Sequence, residues 1–320
     1  MNLAVEIAPR GKRPLSLRNP VMTASGTFSN GLEYARLIEI ERLGAVVSKG
    51  TTLKPRRGNP QVRTAETPAG MLNSIGFQNI GLRALAREVA PIWATWQVPV
   101  IVNILGDSTG EYTELASALD EVPGVSALEL NISCPNLDAG GMEFGVDPDL
   151  AAEVTAAAAG ATTLPLIVKL TPNVTNISSI AAAVEAAGAD AVCVANTLLG
   201  MAIDVQRRRP VLNRSVGGLS GPAVKPIILR MVYQVANTVK IPVIASGGIC
   251  SGLDAVEFLL AGATAVQVGT ATFRNPRAPL DVLDELVQFM QDEGIEDVRE
   301  LIGAALPSGQ LTASVQSSVH

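Results

Sequence analysis

The sequence predicts an α/β fold, a (β/α)8 TIM barrel with an N-terminal hairpin and long loops over the C-terminal face of the strands. Short β-branched runs alternate along the chain with alanine-rich helical stretches, which indicates βα units and a parallel sheet. Aromatic residues make up only 3% of the chain, so the core is expected to be aliphatic. The length of 320 residues suits one barrel, since a barrel needs about 250 residues plus insertions.

Eight barrel strands are expected, each followed by a helix. The strands are predicted at residues 21–25, 45–49, 98–105, 127–133, 164–170, 190–196, 241–247 and 265–270. The helices are predicted at residues 32–43, 81–97, 111–121, 147–159, 177–187, 222–239, 253–261 and 278–293. Residues 1–306 are therefore predicted to form one domain, and the serine-rich residues 307–320 a disordered tail.

Other segments are expected to cover the two ends of the barrel. Residues 3–7 and 15–17 are predicted to pair as a hairpin that plugs its bottom. Two connections, residues 50–80 and 197–221, greatly exceed the usual length of about 2–6 residues. Both follow barrel strands, and long loops at the carboxyl ends of barrel strands commonly bind and cover substrates.

Charge and composition exclude several classes of function. Lys and Arg number 24 against 30 Asp and Glu, so no nucleic-acid partner is expected. No run approaches the roughly 20 apolar residues of a membrane span and no signal-peptide core is visible, so we expect a cytoplasmic protein. The one histidine is His320, which argues against a histidine base and histidine-rich metal sites. The three cysteines are far apart, so neither an iron–sulfur cluster nor another metal site is predicted.

Polar residues recur at the ends of the predicted strands. Because strand residues two apart share a face, the inward faces of five strands are expected to end in Lys or Asn. These residues are Lys49, Asn103, Asn131 (with Glu129 and Ser133 on the same face), Lys169 and Asn196. A buried lysine needs a partner because its desolvation is costly, and a bound anion or electron-rich cofactor would supply one. The alternative is that these residues only mark strand ends.

The last two strands end in glycine turns, Gly247-Gly248 and Gly269-Thr270. Backbone N–H groups exposed by glycine beside helix N-termini bind phosphate, and in barrels such a site commonly follows strands seven and eight. A phosphate cradle is therefore expected here. The alternative is a pair of tight turns that hold no ligand.

Cys134 follows the fourth predicted strand and precedes a glycine-rich stretch at residues 140–145. A thiol on a loop over the barrel mouth can act as a nucleophile or a base, and such a loop can open and close. An inert buried thiol is the alternative, and it is the interpretation for Cys193 and Cys250. The segment NSIGFQN at residues 73–79 offers amides for a planar polar ring, or it forms a turn only.

Six segments match a known family in order and spacing. They are NPVMTASG at 19–26, SKGTT at 48–52, NSIGFQN at 73–79, NISCPN at 131–136, NT at 196–197 and SGGI at 246–249. Together they resemble class 1 dihydroorotate dehydrogenases, from about residue 3 to residue 290. The chain is most similar to the class 1B catalytic subunit, judging from TASGTF at 23–28 and MLNSIG at 71–76.

The resemblance implies roles for individual residues. FMN would be lined by Ser25, Lys49, Gly50, Asn103, Asn131, Lys169, Ala195, Gly221, Gly247, Gly248, Gly269 and Thr270. Dihydroorotate would be held by Lys49, Asn73, Ser74, Ile75, Gly76, Phe77, Asn131, Asn196 and Thr197. Cys134 would be the base, and Lys169 would place positive charge beside the flavin. Phe77 stands where the family is expected to have leucine.

The resemblance also implies a partner. In class 1B enzymes electrons pass from FMN to NAD⁺ through a second subunit that carries FAD and an iron–sulfur cluster, in a heterotetramer with a homodimeric catalytic core. The chain would then oxidise (S)-dihydroorotate to orotate in de novo pyrimidine biosynthesis. Three alternatives stay open: a class 1A homodimer that reduces fumarate, an aldolase-like barrel in which Lys169 forms a Schiff base, and a non-catalytic phosphate-binding barrel.

Overall fold

The computed structural model describes residues 1–9, 11–133, 135–136 and 142–307, and its centre is a closed barrel of eight parallel strands. In chain order the strands are Val21–Thr23, Val46–Val47, Val100–Ile104, Ala127–Asn131, Leu166–Lys169, Ala191–Val194, Val243–Ser246 and Ala265–Val268. Strands adjacent in sequence are adjacent in the ring. The eighth strand pairs with the first, and a bridge between Met22 and Ala45 joins the first to the second. The predicted barrel is confirmed.

Helices surround the barrel, and polar side chains cap several of them. The α-helices are Leu82–Ala84 and Ala90–Trp93, joined by a π-helical turn at Leu85–Val89, then Thr109–Leu119, Pro148–Ala161, Ile177–Ala186, Lys225–Ala236, Gly252–Leu260 and Ala278–Asp292. Short 3-10 turns lie at Tyr34–Arg36, Ile40–Arg42, Phe144–Val146, Pro222–Val224, Thr270–Phe273 and Val298–Glu300. Ser108, Asp147 and Asn176 accept hydrogen bonds from first-turn N–H groups. Ser251 forms a capping box with Asp254.

The prediction of a helix at residues 32–43 was wrong. The segment contains only the two 3-10 turns Tyr34–Arg36 and Ile40–Arg42. Glu39 lies between them with a non-helical ψ of 75°, so a continuous hydrogen-bond ladder cannot form. Ile40 instead packs with Phe28 in a second, smaller apolar cluster beside the barrel. Packing against this cluster overrides the helical pattern of the sequence.

The predicted N-terminal hairpin is present at the bottom of the barrel. Val5–Glu6 pairs antiparallel with Ser16–Leu17, and their apolar side chains join the main core. The turn between them is fixed by Lys12, whose Nζ donates hydrogen bonds to the carbonyls of Ala159 and Thr162 at 3.0 and 2.9 Å. These carbonyls precede the fifth strand, so the hairpin lies across the end opposite the long connections.

The two long connections fold into strands. Together they form a four-stranded antiparallel sheet, named here the roof sheet, in the spatial order Leu198–Met201, Val216–Ser220, Gly70–Asn73 and Thr64–Thr67. Small residues permit the close approach, because a Cβ on Gly70 would lie 2.1 Å from the carbonyl oxygen of Ser220. Two shorter pairs are Ile203–Asp204 with Arg209–Pro210 and Pro135–Asn136 with Met142–Glu143.

The predicted boundary between the barrel domain, residues 1–306, and the tail, residues 307–320, remains a prediction. Residues 308–320 lie outside the described residues, and with them nearly all of the predicted tail at 307–320. Within the part of the chain that the structure describes, no helix combines the length and apolar character needed to cross a membrane.

Candidate active site at the barrel mouth

A cavity of about 660 Å³ lies between the carboxyl ends of the barrel strands and the roof sheet. Every residue predicted to contact a cofactor or substrate lines it, apart from Cys134, which lies outside the described residues. From the barrel strand ends and their turns come Ser25, Lys49, Gly50, Asn103, Asn131, Lys169, Ala195, Asn196, Thr197, Gly247, Gly248, Gly269 and Thr270, and from the end of the second long connection comes Gly221. From the first long connection come Asn73, Ser74, Ile75, Gly76 and Phe77. The predicted residues therefore meet in one place.

Lys169 lies at the floor of the cavity with only 4% of its surface exposed. Its Nζ donates to Gln267 Oε1 at 3.0 Å and to Ser25 Oγ at 3.4 Å, and it lies 3.5 Å from Glu129 Oε1. Burial alone would lower the pKa of Lys169, but its polar surroundings, including the Glu129 carboxylate, raise it above its ordinary value. Lys169 is therefore held as an ammonium ion.

The charge partner of Lys169 corrects an expectation. A bound anion or cofactor was expected to supply the negative charge beside Lys169, but the internal carboxylate of Glu129 supplies it. Glu129 lies on the fourth strand, two residues before Asn131 on the same face, and is fully buried. Strand alternation placed Glu129 on the inward face, but nothing in the sequence paired it with a residue of the next strand.

The two cysteines outside the candidate loop differ from each other. Cys193 is fully buried, and burial raises the pKa of its thiol well above the ordinary value, as an inert thiol requires. Cys250 is exposed and lines the cavity, so the interpretation as a buried thiol was wrong for this residue. Among the described residues, no group of three or more His, Cys, Asp or Glu side chains could hold a metal ion.

Three asparagines from the strand ends present oriented amides to the cavity. Asn103 donates its Nδ2 to Glu129 Oε1 at 2.7 Å, which leaves its carbonyl oxygen for other donors. Asn196 Nδ2 donates to Asn131 Oδ1 at 3.2 Å, so these two amides are linked. The end of the fourth strand is fixed by Tyr112, whose hydroxyl donates to the Asn131 carbonyl at 2.6 Å.

Lys49 supplies a second cation, at the side of the cavity and only partly buried. No described residue accepts a hydrogen bond from its Nζ or pairs with its charge. Burial and the nearby positive charge of Arg63 both lower the pKa of Lys49. An ammonium ion in this setting attracts an anionic ligand, because a carboxylate would supply the missing countercharge.

The roof sheet supplies residues of the cavity wall that were not predicted from the sequence. They are Thr64, Met71, Leu199, Gly217, Gly218, Leu219 and Ser220. Asn73 Nδ2 donates to the carbonyl of Gly218 at 3.3 Å, which joins the two insertions at the cavity wall. Ser220 Oγ accepts a 2.8 Å hydrogen bond from Thr270, so the roof is also tied to the eighth strand. The length of the two connections was the only available signal.

Glycine turns after the seventh and eighth strands also line the cavity. Gly247 and Gly248 adopt φ values of +143° and +82°, which L-residues with side chains rarely adopt. No described residue accepts a hydrogen bond from their N–H groups. The turn after the eighth strand, Gly269-Thr270, also lines the cavity and opens a 3-10 turn. These N–H groups suit the oxygens of a phosphate.

Two buried hydroxyls on the cavity wall also lack partners. Among the described side chains, Ser74 Oγ and Ser133 Oγ are buried without a hydrogen bond. Such groups are costly to leave unsatisfied, so they indicate a polar ligand. The cavity thus combines a protonated lysine, oriented amides, unpaired N–H groups and orphaned hydroxyls. This set fits an anionic, ring-containing cofactor such as FMN beside a small planar acid.

Fold and cavity define the class of protein: a (β/α)8 barrel with a polar ligand site at the carboxyl ends of its strands. The family model for dihydroorotate dehydrogenase matches residues 13–290. The chain therefore belongs to the dihydroorotate dehydrogenase family.

Curated relatives are similar over nearly their whole length. The dihydroorotate dehydrogenase B (NAD(+)), catalytic subunit, of Trichlorobacter lovleyi is 57% identical over 91% of this chain and 95% of its own. The proteins of the same name from Geotalea uraniireducens and Desulforamulus reducens are 53% and 54% identical, each over 95% of this chain and 98% and 99% of their own.

A solved structure supports the fold independently. The crystal structure of DHODH from Eimeria tenella in complex with ferulenol aligns with 94% of this chain and 88% of its own, with a TM-score of 0.76. The two sequences are only 24% identical, so this similarity supports the shared barrel fold and nothing further.

Proposed function

We propose that this chain is the catalytic subunit of a dihydroorotate dehydrogenase B, which oxidises (S)-dihydroorotate to orotate in pyrimidine biosynthesis. The observation that carries the proposal is the meeting of Lys169, the strand-end amides and the glycine turns in one cavity of a chain from this family. FMN would lie with its phosphate on the N–H groups of Gly247, Gly248, Gly269 and Thr270. When bound, FMN supplies the hydride acceptor.

The substrate is proposed to lie between the flavin and the roof sheet. Lys49 would pair with its carboxylate, because this cation has no countercharge among the described residues. Asn73, Asn131 and Asn196 would hold the ring through donors and acceptors of their amides. Fixing the ring against the flavin reduces the entropic cost of aligning C6 for hydride transfer.

Cys134 is the proposed base. Its thiolate would take the proton from C5 while the hydride leaves C6, so that the C5–C6 bond becomes a double bond. An unperturbed thiol has a pKa of about 8.5, so only a few per cent is ionised at neutral pH. Activity should therefore rise in mildly alkaline solution. Lys169 would stabilise the negative charge that the flavin gains, since it is held protonated at the cavity floor.

The electron acceptor is proposed to be NAD⁺, reached through a separate subunit carrying FAD and an iron–sulfur cluster. The curated relatives are named as NAD(+)-linked catalytic subunits, which favours this route over the fumarate-reducing homodimer. Lys169 is a poor candidate for a Schiff base, because a nucleophilic amine must be neutral and its pKa is raised. The isolated chain should reduce NAD⁺ poorly, and the added partner should restore the reaction.

The purified chain tests the proposal directly. It should contain about one FMN per chain, and dihydroorotate should bleach the flavin absorbance in stopped flow. Cys134→Ala should keep the flavin and slow this bleaching by roughly 10²- to 10⁴-fold. Cys193→Ser is the matched control, since it replaces a buried thiol that does not line the cavity and keeps a donor for Gln267. A wild-type chain that binds no added FMN would overturn the cofactor, and unchanged bleaching in Cys134→Ala would overturn the base.

A further inference from the structure

A single carboxylate beneath the cavity joins two of the side chains that line it. Glu129 Oε1 accepts a hydrogen bond from Asn103 Nδ2 at 2.7 Å and lies 3.5 Å from Lys169 Nζ. Its other oxygen, Oε2, accepts from Gln267 Nε2 at 2.6 Å. Gln267 in turn accepts from Lys169 at 3.0 Å. The three side chains of Glu129, Gln267 and Lys169 therefore form a closed triangle.

The triangle draws on three barrel strands that are distant in sequence. Glu129 comes from the fourth strand, Lys169 from the fifth and Gln267 from the eighth. Glu129 and Gln267 expose 0% and 1% of their surface, so water does not screen these contacts. A buried carboxylate without partners would be costly, and here both of its oxygens are occupied by donors.

The hydrogen bonds also determine orientation. Because Gln267 donates its Nε2 to a carboxylate, its carbonyl oxygen must face Lys169 and Cys193. Asn103 likewise gives its Nδ2 to Glu129, so its carbonyl oxygen remains for a ligand. Loss of the negative charge on Glu129 would remove the reason for both orientations at once.

We propose that Glu129 is a positioning residue for the redox reaction: it keeps Lys169 protonated and aimed at the flavin, with Gln267 as the link between them. Glu129 does not line the cavity; it acts on the cavity-lining Lys169 and Asn103 by direct contact, and on Lys169 also through Gln267. The inference rests on the proposed function, since it assumes a flavin above Lys169. It adds a requirement for the reaction beyond the residues that line the cavity: a negative charge beneath Lys169.

The decisive variant is Glu129→Gln, which keeps the size of the side chain and removes its charge. The titratable groups facing Lys169 are Glu129 and Cys193, and Lys49, Glu143 and Cys250 line the same cavity. Without Glu129, burial should lower the pKa of Lys169 into the working range. The equilibrium between oxidised and reduced FMN, measured against a reference dye from pH 6 to 10, should then shift toward the oxidised form as pH rises. We expect a shift of at least about tenfold at pH 9 relative to wild type, and a smaller one at pH 6.

A charge swap distinguishes positioning from general damage. Glu129→Gln/Gln267→Glu moves the carboxylate to the eighth strand, where the side-chain oxygen already lies 3.0 Å from Lys169 Nζ. The swap should restore a wild-type pH profile of the flavin equilibrium, and it should restore folding if Glu129→Gln alone does not fold. Gln267→Leu, which keeps the carboxylate but removes the link, should slow flavin reduction about tenfold with an unchanged KM for dihydroorotate.

Asp190→Asn provides the matched control. Asp190 accepts a hydrogen bond from Leu166 N at 2.8 Å at the opposite end of the barrel, so this variant makes the same chemical change far from the floor. It should leave the flavin equilibrium within about twofold of wild type. Parallel pH profiles for Glu129→Gln and wild type, or a wild-type reduction rate in Gln267→Leu, would overturn the inference. A wild-type chain without flavin would overturn the proposed function instead.

Discussion

The two lysines of the cavity are held in opposite ways. Lys169 at the floor is almost fully buried and has its countercharge, Glu129, inside the protein. Lys49 at the side is half-buried, lies near the positive Arg63 and has no countercharge among the described residues. The floor is therefore electrostatically complete before any ligand arrives, whereas the side is not. The compensated cation Lys169 suits a cofactor that stays bound. The uncompensated cation Lys49 suits an anionic substrate that binds and dissociates in each turnover.

The largest effect is expected at the floor. Lys169→Met should leave the Glu129 carboxylate buried and uncompensated, so the free energy of unfolding in urea should fall by about 3–5 kcal/mol. Flavin retention should fall with it. The double variant Lys169→Met/Glu129→Gln should recover most of the stability but not the flavin reduction by dihydroorotate. Equal stability of the single and double variants would show that the pair is not coupled.

Lys49→Met should behave differently, because no internal partner loses its countercharge. We expect the free energy of unfolding to change by less than about 0.5 kcal/mol, as for a surface substitution. The affinity for orotate should fall roughly 10- to 100-fold, because a hydrogen bond to a charged group contributes a binding free energy that corresponds to this factor. Lys54→Met, an exposed lysine of the same connection, is the control. Isothermal titration with orotate and urea unfolding separate the two quantities, and a large loss of stability would contradict the comparison.

The same contrast predicts a pH dependence of ligand binding. Burial and Arg63 lower the pKa of Lys49, so this lysine loses its proton below the ordinary lysine value of about 10.4. A carboxylate binds the protonated form, and affinity for orotate should therefore fall as pH rises through the lowered pKa. Titrations of wild type and Lys49→Met between pH 7 and 10.5 test this. The decline should vanish in the variant, and an equal decline in both proteins would assign it to another group.

The smallest effect is expected where the roof sheet meets the barrel. Ser220→Ala removes the acceptor of the Thr270 hydroxyl, a single contact between neutral groups. Loss of this hydrogen bond should destabilise the closed cavity by on the order of 1 kcal/mol. FMN should therefore dissociate about fivefold faster. The stability of the barrel should not change, because the contact lies above the core. An unaltered dissociation rate would mean that the roof is held by its strand pairing alone.

The sequence alone determined the barrel and the inward-facing residues at its mouth. Eight strands were predictable because alternation of side chains and βα periodicity are local properties of the chain. The same alternation placed Lys169, Asn103 and Asn131 at the mouth without knowledge of any neighbour. The roles of individual residues came from the family resemblance, and that of Cys134 remains a prediction.

Only the tertiary structure decided which residues meet. The roof sheet pairs Gly70–Asn73 with Val216–Ser220, two segments separated by more than a hundred residues, and neither carries a strong strand pattern of its own. The pairing of Glu129 with Lys169 and Gln267 depends on the stagger between strands of the closed barrel. Local periodicity fixes which face a side chain occupies, but the partner across a non-local contact is set by the way the chain closes on itself.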